Sequence, residues 1–304
     1  MPNGSSRLPL QSRQWVEEAV GPDARIVSAR RLHGGLSSAP HALIIERSGE
    51  RFGAVLKRPE VWEDEPGDPV QEVTTEARIL GRLESFDWAP RLLAADVTGD
   101  GCGSPAILQA MLPGKPQVAP KAVDQWLRGL SEATQTIATA AVPTHDLVSF
   151  APWVPSTDEP PKWCTSPASW AQSLAGLRNG SHPESCGPNQ FVHRDLHPGN
   201  VLFHGPHMTG IVDWTHSCKG PIETDVSRCR VEIALLAGID AADAYLALCT
   251  DFLPTYDYRW DALVALELSP WVDDLVECFN RIGANLTERR VAETLNTFVV
   301  DNPL

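Results

Sequence analysis

The chain has 304 residues, 42% hydrophobic and 21% charged, the balance of a globular protein in water. Its 25 Lys and Arg against 39 Asp and Glu leave a formal charge of −14. That charge argues against nucleic acid as the main partner, since a phosphate backbone needs a positive surface.

No apolar run reaches membrane-spanning length, the N-terminus has no signal-peptide core, and the seven cysteines are scattered without a CxxC. These features predict a cytoplasmic protein with reduced thiols and no membrane partner. The length exceeds what one small core serves, so two domains are expected, residues 1–111 and 112–304.

Taken in order, Arg25 to Leu32 and His41 to Glu46 read as strands, joined by the Gly- and Ser-rich loop HGGLSSAP. After the turn RSGER, a third strand, FGAVLK, ends on Lys57. A Pro-rich acidic loop follows, then a helix from about Val70 to Leu83 with Val73, Ala77 and Leu80 at helical spacing. The apolar runs RLLAADV and PAILQAML complete a small sheet, and Pro113-Gly114 marks the lobe junction. Ala122 to Thr139 is helical in pattern. Val142 to Asn189 holds eight prolines and three tryptophans and reads as irregular, apart from a short helix around Ser169 to Leu177. Helical texture returns from Thr224 to the end.

The chemistry gathers in FVHRDLHPGNVLF, residues 191–203. A carboxylate at Asp195, heading a tight loop, can accept a proton from a substrate hydroxyl. The amide oxygen of Asn200 and the carboxylate of Asp213, thirteen residues on after the apolar GIV, are hard oxygen ligands suited to Mg²⁺. Flanking apolar strands would hold the two ligands across a hairpin. Phosphoryl transfer needs such parts, together with a cation on the donor phosphates. Lys57, at a strand end, can meet the α- and β-phosphates, and Glu76 on the next helix can pair with it. Glu72, one turn earlier, is the alternative partner. Ser37 and Ser38 either cover the phosphates or form a plain hairpin turn.

HRDLHPGNVLF…GIVDW resembles the catalytic loop and metal-binding segment of the aminoglycoside phosphotransferase family, small-molecule kinases with a protein-kinase-like fold. The resemblance is strongest over residues 191–225, where GPIETDVSR also matches, and weaker from Arg30 to Pro113. It implies an α+β fold of two lobes: a nucleotide-binding antiparallel-sheet lobe, 1–111, and a mainly helical catalytic and substrate-binding lobe, 112–304. It also implies roles. Asp195 orients or deprotonates the acceptor hydroxyl, Asn200 and Asp213 hold Mg²⁺, and Lys57, braced by Glu76, anchors the phosphates of ATP or GTP. The backbone from Gln109 through Met111 to Leu112 receives the purine edge, His193 holds the loop by hydrogen bonds, and Asp225 buttresses it. Arg194 stands where many members carry Gly.

The expected partner is a small-molecule acceptor, first a cationic antibiotic such as an aminoglycoside, next an amino alcohol or sugar metabolite. Residues 113–304 carry 13 basic against 23 acidic side chains, a balance of −10 that would draw in a polycation. Asp257, Asp261, Glu267, Asp273, Asp274 and Glu277 are its candidates, although Asp273 and Glu277 also fit an ordinary solvated helix face. Trp260 and Trp271 read as core or as packing for a substrate amine.

Other readings fit less of the pattern. A zinc hydrolase would use the histidine cluster 193–216 but has no HExxH and leaves Lys57, Glu76 and Asn200 without work. A protein kinase would carry Phe-Gly after Asp213 and a downstream Ala-Pro-Glu. A non-catalytic nucleotide-binding regulator would ordinarily have lost one of the five key residues.

Overall fold

The computed structural model describes residues 8–32, 40–59, 67–157, 159–180 and 183–304. It divides into two compact units: residues 1–114 with 209–216, and residues 115–208 with 217–304.

The first unit is a five-stranded antiparallel sheet with helices. It comprises α1 (Leu10–Val20), β1 (Arg25–Arg31), β2 (His41–Arg47), β3 (Glu50–Lys57), α2 (Pro69–Arg82), β4 (Leu92–Asp96) and β5 (Ala106–Ala110), with strand order β1-β2-β3-β5-β4. In β2 the buried residues alternate, His41, Leu43 and Ile45, as a strand with one face on the core requires. The two-residue turn to β3 is Ser48-Gly49, with φ of 52° and 83°, the paired left-handed geometry of a hairpin turn. Leu43, Ile45, Ala54, Leu56, Ala106 and Leu108 then form one core with Val16 of α1.

Helix α1 is not foreseen by periodicity, because Ser12 and Val16 are its only buried residues. Packing holds it instead: the Ser12 hydroxyl donates to the Cys102 carbonyl at 2.9 Å. Helix α2 has clear local causes. Asp68 caps it, accepting from the Val70 and Gln71 amides at 3.0 and 3.2 Å, and Pro69 opens it with its φ already set. Its inward face is Val73, Glu76, Ile79 and Leu80, so one carboxylate travels inward with three apolar side chains.

The second unit is mainly helical. Its elements are β6 (Lys115–Pro116), α3 (Val123–Thr139), α4 (Pro167–Arg178), β7 (Gln190–Val192), β8 (Val201–His204), the start of β9 (His207–Ile211), β10 (Cys218–Gly220), α5 (Glu223–Ala237), α6 (Ile239–Leu248), α7 (Arg259–Leu268), a 3₁₀ turn at Ser269–Trp271, α8 (Val272–Arg281) and α9 (Glu288–Asp301). Every residue of α5 from Glu223 to Leu235 is buried, the mark of a helix covered on all sides. Its neighbours include α3, α6, α7 and α9. Strand β7 pairs antiparallel with β10, and β8 with β6, so the ends of residues 193–200 are pinned by two ladders. The proline-rich stretch stays irregular until α4 begins, two residues earlier than its apolar pattern suggests.

Candidate functional site

Lys57 ends β3 directly opposite Ile107 of β5, and its side chain turns inward with only 8% of the residue exposed. A buried ammonium needs partners. Lys57 Nζ lies 2.8 Å from Glu76 Oε2, 2.5 Å from Asp213 Oδ1 and 2.9 Å from the Thr215 hydroxyl oxygen. Thr215 Oγ1 lies 3.1 Å from Glu76 Oε2 and 3.2 Å from Asp213 Oδ1. Burial works against the charge on Lys57, but Asp213 and Glu76 outweigh it and raise the pKa above its ordinary value. Glu76, not Glu72, is therefore the partner on α2. Glu72 lines the same recess, and burial pushes its carboxyl upward.

Asp213 reaches this position through tertiary contacts made by residues 209–214 within the first unit. The Ile211 amide donates to the Trp88 carbonyl at 2.8 Å, the Thr209 hydroxyl to the Pro113 carbonyl at 2.6 Å, and Trp214 packs on Trp88 with centroids 5.5 Å apart. Asp213 itself has φ of +70°, a left-handed conformation that costs a non-glycine residue about 1–3 kcal/mol. Strain of that size persists only where surroundings impose it.

At the expected purine edge, Gln109 is buried in β5 and its Oε1 has no hydrogen-bond partner among the described residues. The Ala110 amide donates to Arg91 and the Met111 amide to Gly53, so these two N–H groups are committed within the unit. The Met111 side chain is 41% exposed. Ser37 and Ser38 lie outside the described residues.

In the second unit, residues 193–200 are held from α5. The Asp225 carboxylate accepts the His193 amide at 2.8 Å and the Arg194 amide at 2.7 Å, one on each oxygen. Burial pushes the Asp225 pKa up to about 7, against the lowering effect of those two amides. Arg194, like Asp213, is left-handed, with φ of +73°. That conformation gives a physical reason for glycine at this position in the resembling sequences. His193 is fully buried.

Asn200 donates its Nδ2 to the Asp195 carbonyl at 3.0 Å and faces Asp195 Oδ2 at 3.5 Å. With the nitrogen so directed, Oδ1 is the Asn200 atom that can ligate a cation. An amide oxygen is a donor of the kind a hard divalent cation takes. Among the described residues, no three His, Cys, Asp or Glu side chains gather as a metal site of their own.

Asp195 has a partner that sequence reasoning missed. Arg228 of α5 places NH2 2.9 Å from Asp195 Oδ1 and Nε 2.9 Å from Glu232 Oε1, and Glu232 Oε2 lies 3.0 Å from His197 Nδ1. Only the i, i+4 spacing of Arg228 and Glu232 was visible in the sequence; that both are buried was not. Thr215, two residues past Asp213, was likewise overlooked.

Several expected surface acids are engaged. Glu267 and Asp261 are buried against Arg194 and Arg230, Asp257 pairs with Arg259, and Glu277 with Arg281. Trp260 is core, donating its indole N–H to the Glu184 carbonyl, whereas Trp271 keeps 36% exposure.

A family model described as the phosphotransferase enzyme family matches residues 28–263. Homoserine kinases of two Rhodopseudomonas palustris strains are 37% identical over 59 residues, which span 19% of this chain and 18% of each enzyme. Among solved structures, a Ralstonia eutropha protein assigned to the aminoglycoside phosphotransferases superposes with a TM-score of 0.63 at 15% identity, covering 97% of this chain and 98% of that one. A thermostable mutant of aminoglycoside phosphotransferase APH(4)-Ia, in complex with ADP and hygromycin B, gives 0.60 at 14% identity, covering 93% and 98%. LicA in complex with AMP gives 0.61 at 12% identity, covering 94% and 97%. At these identities the likeness establishes the fold, protein-kinase-like and of mixed helix and antiparallel sheet.

Proposed function

This chain belongs to the phosphotransferase enzyme family, and from that membership we propose that it moves the γ-phosphoryl group of ATP or GTP to a hydroxyl of a small molecule. The observation that carries the reading is the buried Lys57, shared by Glu76 and Asp213. A cation fixed at a strand end beside a carboxylate able to take a metal is the donor half of a phosphoryl-transfer site.

Lys57 anchors the α- and β-phosphates and Glu76 holds it in place. Asn200 Oδ1 and the Asp213 carboxylate would hold Mg²⁺, which supplies charge neutralisation on the phosphates. Asp195 orients the acceptor hydroxyl. As the acceptor oxygen bonds to the γ-phosphorus, the bond to the nucleoside diphosphate breaks and the hydroxyl proton passes to the Asp195 carboxylate.

For the acceptor, the leading class is a cationic antibiotic. It is supported by the −10 balance of residues 113–304 and by the hygromycin B bound to a structural neighbour. The match to homoserine kinases favours a second class, a small hydroxylated metabolite. The Trp- and Pro-rich residues 150–170 are the proposed seat of selectivity. The scattered cysteines without a CxxC support a place in the cytoplasm for this protein; separately, no described helix is long and apolar enough to cross a membrane.

The test is nucleotide consumption with Mg²⁺, offering ATP and GTP against aminoglycosides, cationic peptides, choline-like amines, sugars and homoserine. Acceptor-dependent turnover should fall about 10²–10⁴-fold in Asp195→Ala with nucleotide binding retained. Normal turnover in that variant overturns the assignment.

A further inference from the structure

Asp195 is gripped on one side. Its Oδ1 is buried and forms an ion pair with Arg228 NH2 at 2.9 Å, a contact of charge without hydrogen-bond alignment, while the side chain as a whole keeps 17% exposure. The exposed part of the carboxylate is thus on the side of Oδ2, the oxygen that Asn200 Nδ2 faces at 3.5 Å. Arg228 is itself fixed. Its Nε meets Glu232 one helical turn on, and Glu232 reaches back to His197 of the same loop, whose Nε2 is 3.8 Å from Asp195 Oδ2. Arg228, Glu232, His197 and Asp195 close a ring across α5 and the loop.

Stability alone gives no reason for this ring. Buried ion pairs can commonly be replaced by apolar side chains of similar volume at no loss. A guanidinium beside one oxygen holds that oxygen by charge and leaves the other to the acceptor. A carboxylate so held presents its other oxygen to a hydroxyl in one direction.

We propose that Arg228 is a positioning residue for phosphoryl transfer: by taking Oδ1 of Asp195 it assigns Oδ2 to the acceptor hydroxyl. Glu232 supports Arg228 in this and touches neither substrate. The inference rests on the transferase reading above.

The experiment compares Arg228→Gln and Arg228→Lys, each alone and combined with Asp195→Asn, in transfer from MgATP to the best acceptor of the panel, or to water if none accepts. Equilibrium nucleotide binding is measured alongside. Arg228→Gln should lower kcat about 10–100-fold, with nucleotide affinity within about twofold, and Arg228→Lys should recover part of the loss. In the Asp195→Asn background the same Arg228→Gln change should cost less than about threefold, because Arg228 has no carboxylate left to act through.

Equal losses in both backgrounds, or unchanged kcat in Arg228→Gln, overturn the proposal. If Arg228→Gln does not fold, the pair Arg228→Met with Glu232→Leu restores an apolar interior and takes its place. If Asp195→Asn alone retains normal kcat, the transferase assignment of Asp195 falls, which is a separate outcome from failure of the Arg228 proposal.

Discussion

Arg194 and Glu267 form a doubly bonded ion pair inside the second unit, NH1 to Oε2 at 3.0 Å and NH2 to Oε1 at 2.7 Å, with side-chain exposures of 4% and 0%. The pair gathers a strap of the irregular segment. Arg194 NH2 also donates to the Ala151 carbonyl, its guanidinium lies 3.8 Å from the Trp153 ring centroid, and the Trp153 amide donates to Glu267. The residue beside Asp195 thus ties down a segment that has no regular structure of its own.

Removing one member strands the other. Arg194→Ala should cost about 3–5 kcal/mol in denaturant unfolding, since Glu267 would be left charged and buried. The double replacement Arg194→Met with Glu267→Leu should recover most of that loss. Near-additive losses in the pair would show that the strap, and not the charge, carries the stability.

Thr215 touches Lys57, Glu76 and Asp213 at once. Thr215→Val keeps the shape and removes the hydroxyl, and should destabilise by about 1–3 kcal/mol. Thr215→Ser should stay near the parent. Chemical denaturation of the three proteins gives the comparison, and an unchanged midpoint in the valine variant would mean the hydroxyl contributes nothing.

Asp225 links folding to pH. Burial raises its pKa from 3.8 to about 7, so between those values the folded chain keeps a proton that the unfolded chain has released. Its contribution to stability is therefore full below pH about 4 and is lost as pH rises through about 7. Asp225→Asn should flatten this part of the stability–pH curve. A variant curve parallel to the parent's would assign the dependence to other groups.

Asp68 caps the helix that carries Glu76. Asp68→Ala should cost about 1 kcal/mol, and Asp68→Ser should restore most of it. Hydrogen exchange at the Val70 and Gln71 amides reports the loss directly, and unchanged protection there would disprove the cap.

What could be read from the sequence follows local causes. Helix α2 was legible because its cap, opening proline and apolar spacing agree, and β2 because its side chains alternate. Strand β1 was legible from its β-branched start, although Ile26 is its only buried residue. Helix α1 was not legible, since nothing in LQSRQWVEEAV is periodic enough and its hold is a hydrogen bond 90 residues away. The spacing brought Lys57 and Glu76 to attention, but the ring around Asp195 depends on which face of α5 meets the loop, and that is set by packing alone. The acidic C-terminal residues misled in part: charge counting cannot tell a solvated carboxylate from one, like Glu267, committed to an interior arginine.

Helix α5 has a consequence for how the protein assembles. Its interior carries Glu223, Asp225, Arg228, Arg230 and Glu232, and their partners come from distant segments. The Cys186 amide reaches Glu223, the 193–194 amides reach Asp225, Asp195 reaches Arg228, and Asp243 and Asp261 reach Arg230. A half-built unit would leave charges in an apolar interior at several kcal/mol each. Partial forms of this unit are thereby penalised far more than an apolar helix would penalise them. The polar spine should therefore make α5, α7 and the 193–197 loop exchange their amides through one shared opening event, which native-state hydrogen exchange would check.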